Sequence, residues 1–244
     1  QVPVAARSWK FESSPGHHRR PADRDRTKGY RLSRETYNTP VDMHLHTDDL
    51  PDGLDFGTAV AVDTETQGLN LTRDRLCVVQ LSKGDGVCHL VQMTGKSYAA
   101  PNLKALMTNP NVTKIFHFAR FDVAIMKRWL DIQINPVFCT KIASKLVRTY
   151  TDRHGLKDVT KELLGIDLSK AQQSSDWAAE TLSPEQLTYA ASDVLNLNAI
   201  HERLQMMLAR EGRTEIANAC FDFLATRADL DLSGWPDTDI FSHA

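Results

Sequence analysis

Apolar positions are sparse and aperiodic up to about residue 42 and become patterned after it. Segment 57–65, GTAVAVDTE, is small and β-branched and predicts a buried strand, with Asp55 before it and Gly68 after it. RLCVVQLS at 75–82 predicts a second strand and GVCHLVQ at 86–92 a third. The turn Lys83-Gly84-Asp85-Gly86 between them is a hairpin signal. Residues 101–107 predict a short helix, and KIFH at 114–117 a further short strand. Phe118, Phe121, Ile125 and Trp129 recur at helical spacing, so 118–130 reads as an amphipathic helix. Helices follow over 139–148 and 155–164, the second with Gly165 as its C-terminal cap. Ser183-Pro184-Glu185-Gln186 is a helix start, with an N-cap serine, proline at the first helical position and a capping-box glutamine. That helix is expected to run to about Arg210. A last helix sets Ala217, Phe221 and Leu224 on one face and leads into a polar tail. No internal repeat is present. Strands come first and helices later, with one or two crossovers. This order predicts an α/β fold, a mixed sheet flanked by helices, in a single domain over 43–212 followed by a C-terminal helix and tail over 213–244.

Charge divides the chain in a way the near-neutral total of -2 conceals. Residues 1–42 hold nine Lys/Arg against five Asp/Glu, and the remainder 20 against 26. An acidic body argues against wrapping duplex DNA through bulk charge, but leaves room for a local basic channel or for carboxylates that gather metal ions. The first 42 residues are rich in Arg, Pro, His and Ser and lack the apolar core of a secretory signal. A transit peptide or a basic nucleic-acid arm are alternatives. The reading preferred is a disordered extension, or upstream sequence joined to a protein that starts at Met43. No stretch has the eighteen or so apolar residues that would span a bilayer, so no membrane partner is expected. Cys77, Cys88, Cys139 and Cys220 form no CxxC pair, which argues against a zinc knuckle or a disulfide scaffold and for a reducing compartment, the cytoplasm.

Three short segments carry the chemistry. Asp63 and Glu65 end the first strand, and residues two apart on a strand share a face. Asp122 lies in the first turns of a helix leaving a strand. Tyr189 and Asp193 are four apart and stack on one helical face. Taken singly, each has an ordinary explanation: a water-facing strand end, a helix-dipole partner, a packed tyrosine beside a solvated acid. Together they supply four carboxylates and a phenol. Clustered like charges need protons or cations, and an all-oxygen donor set suits hard cations such as Mg²⁺ or Mn²⁺. Four acids can hold two such ions for in-line attack on a phosphodiester.

VDTET, HFARFD and YAASD, in this order, resemble the three exonuclease motifs of the DEDD superfamily in its tyrosine-containing branch. DRLCVVQLS after the first motif, and LSKAQQSSDW followed by LSPEQLTYAASDVLNL, resemble bacterial ribonuclease D over about Leu54 to Leu208. The resemblance implies an RNase H-like fold. It also implies metal-dependent 3′→5′ release of nucleoside 5′-monophosphates from single-stranded RNA 3′ ends, as in tRNA or other stable-RNA processing. By it, Asp63, Glu65 and Asp193 hold the ion that carries the attacking water, and Asp63 and Asp122 hold the ion beside the leaving oxygen. Tyr189 then orients the water and helps deprotonate it. Thr64 and Thr66 stand near the terminal nucleotide, and Leu69 wedges against the last base, unless it is a plain turn residue. Proofreading domains of polymerases usually carry Asn where this chain has Phe118, which lowers that reading. After Arg210 too little chain remains for the C-terminal helical RNA-binding domains of full-length ribonuclease D.

Substrate contact is therefore expected from the domain itself. Lys141, Lys145, Arg148, Arg153, Lys157 and Lys161 form a basic strip with Tyr150 and His154 interleaved, either the phosphate-tracking edge of a single-strand groove or a solvated helix face. His117 is a further substrate-side candidate, with strand-end packing as the alternative. Trp177 is expected in the core. The competing functions are a 3′→5′ exodeoxyribonuclease acting on DNA ends and, below both, a non-catalytic nucleic-acid-binding module that has kept the fold.

Overall fold

A computed structural model describes residues 42–168 and 174–243. The expected N-terminal extension, apart from Asp42, and residues 169–173 of the LSKAQQSSDW motif lie outside the described residues. Six strands form one mixed sheet in the order β1-β4-β3-β2-β5-β6. They are β1 (Asp42–Thr47), β2 (Ala59–Thr66), β3 (Leu76–Ser82), β4 (Val87–Gln92), β5 (Thr113–Phe116) and β6 (Val137–Cys139). The antiparallel pairs β2–β3 and β3–β4 form a meander, whereas β1–β4, β2–β5 and β5–β6 run parallel. The helices are α1 (Pro101–Thr108), α2 (Ala119–Leu130), α3 (Thr140–Val147), α4 (Leu156–Leu164), α5 (Pro184–Leu195), α6 (Leu197–Arg210) and α7 (Thr214–Leu232). The sheet flanked by helices that the pattern predicts is the one found.

Every residue of β3 is buried, which is why LCVVQLS shows an apolar run over 76–79 rather than a polar–apolar alternation. Helix α5 lies across β2, β3 and β4, while α2 packs on α7. Each fully buried core side chain such as Leu76, Leu81 or Leu90 contributes about 1.5–3 kcal/mol by leaving water. The start of α5 forms as expected: Ser183 Oγ accepts from the Gln186 amide at 3.3 Å, and Gln186 Oε1 accepts from the Ser183 amide at 2.9 Å. Gly165 closes α4 at φ 76°.

Several elements differ from the sequence reading. Strands β1 and β6 escape it. The first, DMHLHT, is an edge strand with mostly exposed side chains, and the second has three residues, too few for a period to show. The long helix expected from 183 to 210 breaks at Asn196 into α5 and α6. Asparagine competes for backbone hydrogen bonds, and neither Gly nor Pro marks the break. Helix α7 extends to Leu232, and Arg120 and Arg227 converge on buried Asp231, drawing the start of the expected polar tail against α2.

Two features place the site. Strand β2 pairs with β5 only over Ala59–Ala61, whereas its pairing with β3 continues to Thr66, with a register shift between Glu65 and Thr66. The strands therefore part at their carboxyl ends, where crevices in α/β sheets open. At the other end, Lys114 is buried and donates from Nζ to the carbonyls of Asn109, Val112 and Asn135 at 2.7–2.8 Å. This clamp ties the loops entering β5 and β6.

Lys114→Met keeps the apolar stem and leaves three carbonyls short of a donor. It is expected to lower the unfolding free energy by about 2–4 kcal/mol in urea titration. An unchanged midpoint and slope would show that the clamp contributes nothing.

Candidate active site

The acids come from three elements that meet where β2 and β5 part. Asp63 and Glu65 share a face of β2, and Asp193 reaches them from α5. Ligand oxygens of these three all lie within 4.8 Å of one another. Asp122, 3% exposed, enters from the first turn of α2 and accepts a hydrogen bond from Thr64 Oγ1 at 2.7 Å. The chain delivers it there through Phe118, the N-cap of α2, at φ 70° and ψ 43°. This left-handed conformation is uncommon for a bulky residue and turns β5 directly into the helix. Tyr189 lies one turn before Asp193, its ring 6.1 Å from that of Trp177, which is in the core as expected.

Burial dominates the electrostatics. It raises Asp63 well above the usual carboxylate range, and the charges of Asp122, Asp193 and Glu65 add to it. Glu65 is pushed up to about 9 by burial and by Asp193 and Asp122. Burial also lifts Asp122 to about 7 against the Thr64 hydrogen bond, and Asp193 to about 7 against its interaction with Tyr189. The Tyr189 phenol is raised by burial, then by Asp193, Glu65 and Asp63. No Lys or Arg among the described residues forms an ion pair with any of the four acids. An all-oxygen cluster, partly buried and without an ion-paired protein cation among the described residues, fits hard divalent ions such as Mg²⁺ or Mn²⁺.

The cleft beside the acids has a volume of about 270 Å³. Asp63, Tyr189 and Asp193 line it together with His117, Lys141 and Lys157. His117 Nδ1 lies 2.9 Å from Thr140 Oγ1, and burial, then Lys141, pushes its imidazole down to about 3, so the ring is neutral. Lys141 Nζ sits 4.3 Å above the Phe118 ring. Lys145 faces away from the cleft, into a larger apolar groove of about 570 Å³ between α3 and α7. The Thr64 hydroxyl is taken by Asp122 and that of Thr66 by the Gly68 carbonyl at 2.6 Å. Leu69 stands in the following loop, 85% exposed.

The basic strip is shorter than its sequence suggests. Arg148 is fully buried and bonds Glu162, Ser144 and the Arg153 carbonyl, which ties α3 to α4. Lys161 pairs with Asp167. Of the strip, Lys141 and Lys157 reach the cleft. Leu156 and Leu168 also line it, and nothing in the sequence sets them apart from ordinary core positions.

Residues 44–209 match the 3′–5′ exonuclease family. Ribonuclease D of Acidiphilium cryptum is 37% identical over 156 residues, 64% of this chain and 39% of that protein, so the chain spans well under half of such relatives. Brucella melitensis NrnC superposes with a TM-score of 0.81 at 54% identity, over 84% of this chain and 100% of that one, in a structure bound to pGG. The same protein has been solved with bound Mg²⁺, at 53% identity and a TM-score of 0.80, over 83% of this chain and 100% of that one. Escherichia coli RNase D shares the fold at 24% identity and a TM-score of 0.63, over 70% of this chain and 45% of that one.

The raised acids make a signed pH prediction. Their ordinary values are 3.8 and 4.5, and all four titrate higher in the metal-free fold. Between the ordinary and the raised values the folded chain holds more protons than the unfolded one, so stability falls as pH rises. The contribution is complete below about pH 4 and is lost through about pH 7–9. Melting in EDTA should therefore shift downward from about pH 5 to pH 9, and saturating Mn²⁺ should suppress that shift. A metal-free melting temperature that rises over this range would contradict the buried-acid geometry.

Proposed function

The chain belongs to the 3′–5′ exonuclease family, and on that premise we propose that it is a metal-dependent exoribonuclease of the ribonuclease D type, releasing nucleoside 5′-monophosphates from the 3′ ends of single-stranded RNA. The observation that carries this reading is the convergence of Asp63, Glu65, Asp122 and Asp193, beside a cleft that Asp63 and Asp193 line with Tyr189. The RNA preference is supported by relatives that are ribonucleases D and by the pGG held by Brucella melitensis NrnC. The cytoplasm, a reducing compartment, suits the four free thiols.

Bound divalent ions supply Lewis-acid stabilisation of the attacked phosphodiester and lower the pKa of water. Asp63, Glu65 and Asp193 would hold one ion, and Asp63 with Asp122 the other. Thr64 fixes the Asp122 carboxylate through its hydroxyl. In the metal-free fold, burial and the charges of Asp193, Glu65 and Asp63 oppose ionisation of the Tyr189 phenol. Beside bound ions its hydroxyl would orient the attacking water and help deprotonate it. Lys141 and Lys157 stand on the cleft wall where an approaching phosphate would meet positive charge.

Matched 3′- and 5′-labelled RNA and DNA strands test the reading. The expected result is stepwise 3′ loss from RNA, abolished by EDTA and impeded by a 3′-phosphate. Cleavage of circular strands, or activity that survives exhaustive chelation, would overturn it, and faster loss from DNA would reverse the substrate assignment. Tyr189→Phe should reduce single-turnover rate by about 10²–10⁴-fold with little change in melting or RNA binding. Asp193→Asn should be at least as damaging to rate. A Tyr189→Phe protein at wild-type rate would remove tyrosine from the mechanism.

A further inference from the structure

Gln80 has no exposed surface, and neither Nε2 nor Oε1 of its amide has a hydrogen-bond partner. An unpaired amide in a sheet interior is costly, and an apolar side chain of the same shape would avoid the cost. The place of Gln80 in the ladder says what the amide is near. It pairs with Asp63 across β2 and β3. Directly opposite residues of an antiparallel pair carry their side chains on the same face, with Cβ atoms about 4.5–5.5 Å apart. The flanking pairs on that face are Ala61 with Ser82 and Glu65 with Val78, and across β4 the partner is Leu90. Asp63 is thus the charged side chain directly across the ladder from the amide.

Two deficits then stand side by side. Asp122 has the Thr64 hydroxyl and Asp193 interacts with that of Tyr189. Among the described residues Asp63 has a backbone donor and no side-chain donor. Gln80 has a free donor and no acceptor. We propose that Gln80 is the positioning residue of Asp63, its Nε2 donating to the Asp63 carboxylate when that carboxylate holds a divalent ion, and so fixing which oxygen faces the ion. Carboxylates that ligate metals are themselves hydrogen-bonded, and outer partners of this kind set ligand orientation. The inference rests on the metal-dependent reading above, in which Asp63 serves both ions.

The test is Gln80→Met, which keeps the length and removes the amide, read by calorimetric Mn²⁺ titration without substrate and by melting in EDTA. Mn²⁺ affinity should fall roughly 10- to 100-fold. The metal-free melting temperature should stay level or rise, because two buried unpaired groups are gone. Unchanged affinity overturns the proposal. So does a drop of several degrees in EDTA, which would show the amide already partnered, by a buried water for instance, in the metal-free fold. Should the variant not fold, the wild-type Gln80 side-chain amide can be followed by ¹⁵N NMR during Mg²⁺ titration. A shift of its resonances with metal occupancy supports the role, and resonances that stay put overturn it. Wild-type protein that takes up no Mn²⁺ would remove the metal-dependent reading itself. Wild-type and variant that bind Mn²⁺ equally well would remove only the role of Gln80.

Discussion

Four carboxylates share a small, partly buried space with no ion pair to a lysine or arginine among the described residues, and the architecture around them is what keeps them there. Left to themselves, like charges at this separation would move apart or take up protons. Strand β2 is held on one side by β3 through Thr66 while its other side parts from β5 after Ala61. Helix α2 begins abruptly at Phe118, so Asp122 is presented within its first turn. Helix α5, capped at Ser183 and laid across the meander, supplies Asp193 from above. None of these elements is free to relax without unpacking the core that buries them. The fold therefore maintains an electrostatically unfavourable arrangement that a divalent ion converts into a favourable one.

Much of this was legible in the sequence because the site residues sit at element boundaries with local signals. The β3–β4 hairpin followed from two apolar runs around a Gly-Asp-Gly turn, and the start of α5 from its capping box. The alternation in VDTE set Asp63 and Glu65 on one face before any tertiary information. What stayed hidden depends on contacts between distant segments. The Thr64 hydroxyl looks available in the sequence and is committed to Asp122, 58 residues away. Arg148 looks like one more surface cation and is the buried centre of a network joining α3 to α4. Gln80 looks like one polar interruption of a strand, and only the register places it beside Asp63.

The Arg148 network also shapes the cleft wall. Burying Arg148 against Glu162 removes a charge from the surface but fixes the loop that brings Gly155, Leu156 and Lys157 to the cleft wall. Of the six basic residues of 141–161, Lys141 and Lys157 line that wall.

The parallel strands β2 and β5 begin and end against cations of different kinds. Where β5 starts, the Lys114 ammonium sits among three carbonyl oxygens much as a monovalent ion would in an all-carbonyl cage, but it is tethered by its own side chain. Where the strands end, the acids must draw their positive charge from solution. One pole of the sheet thus carries a tethered cation of its own. The other pole has its charge balanced by a dissolved ion, so the ionic composition of the surroundings acts most directly on the end that holds the acids.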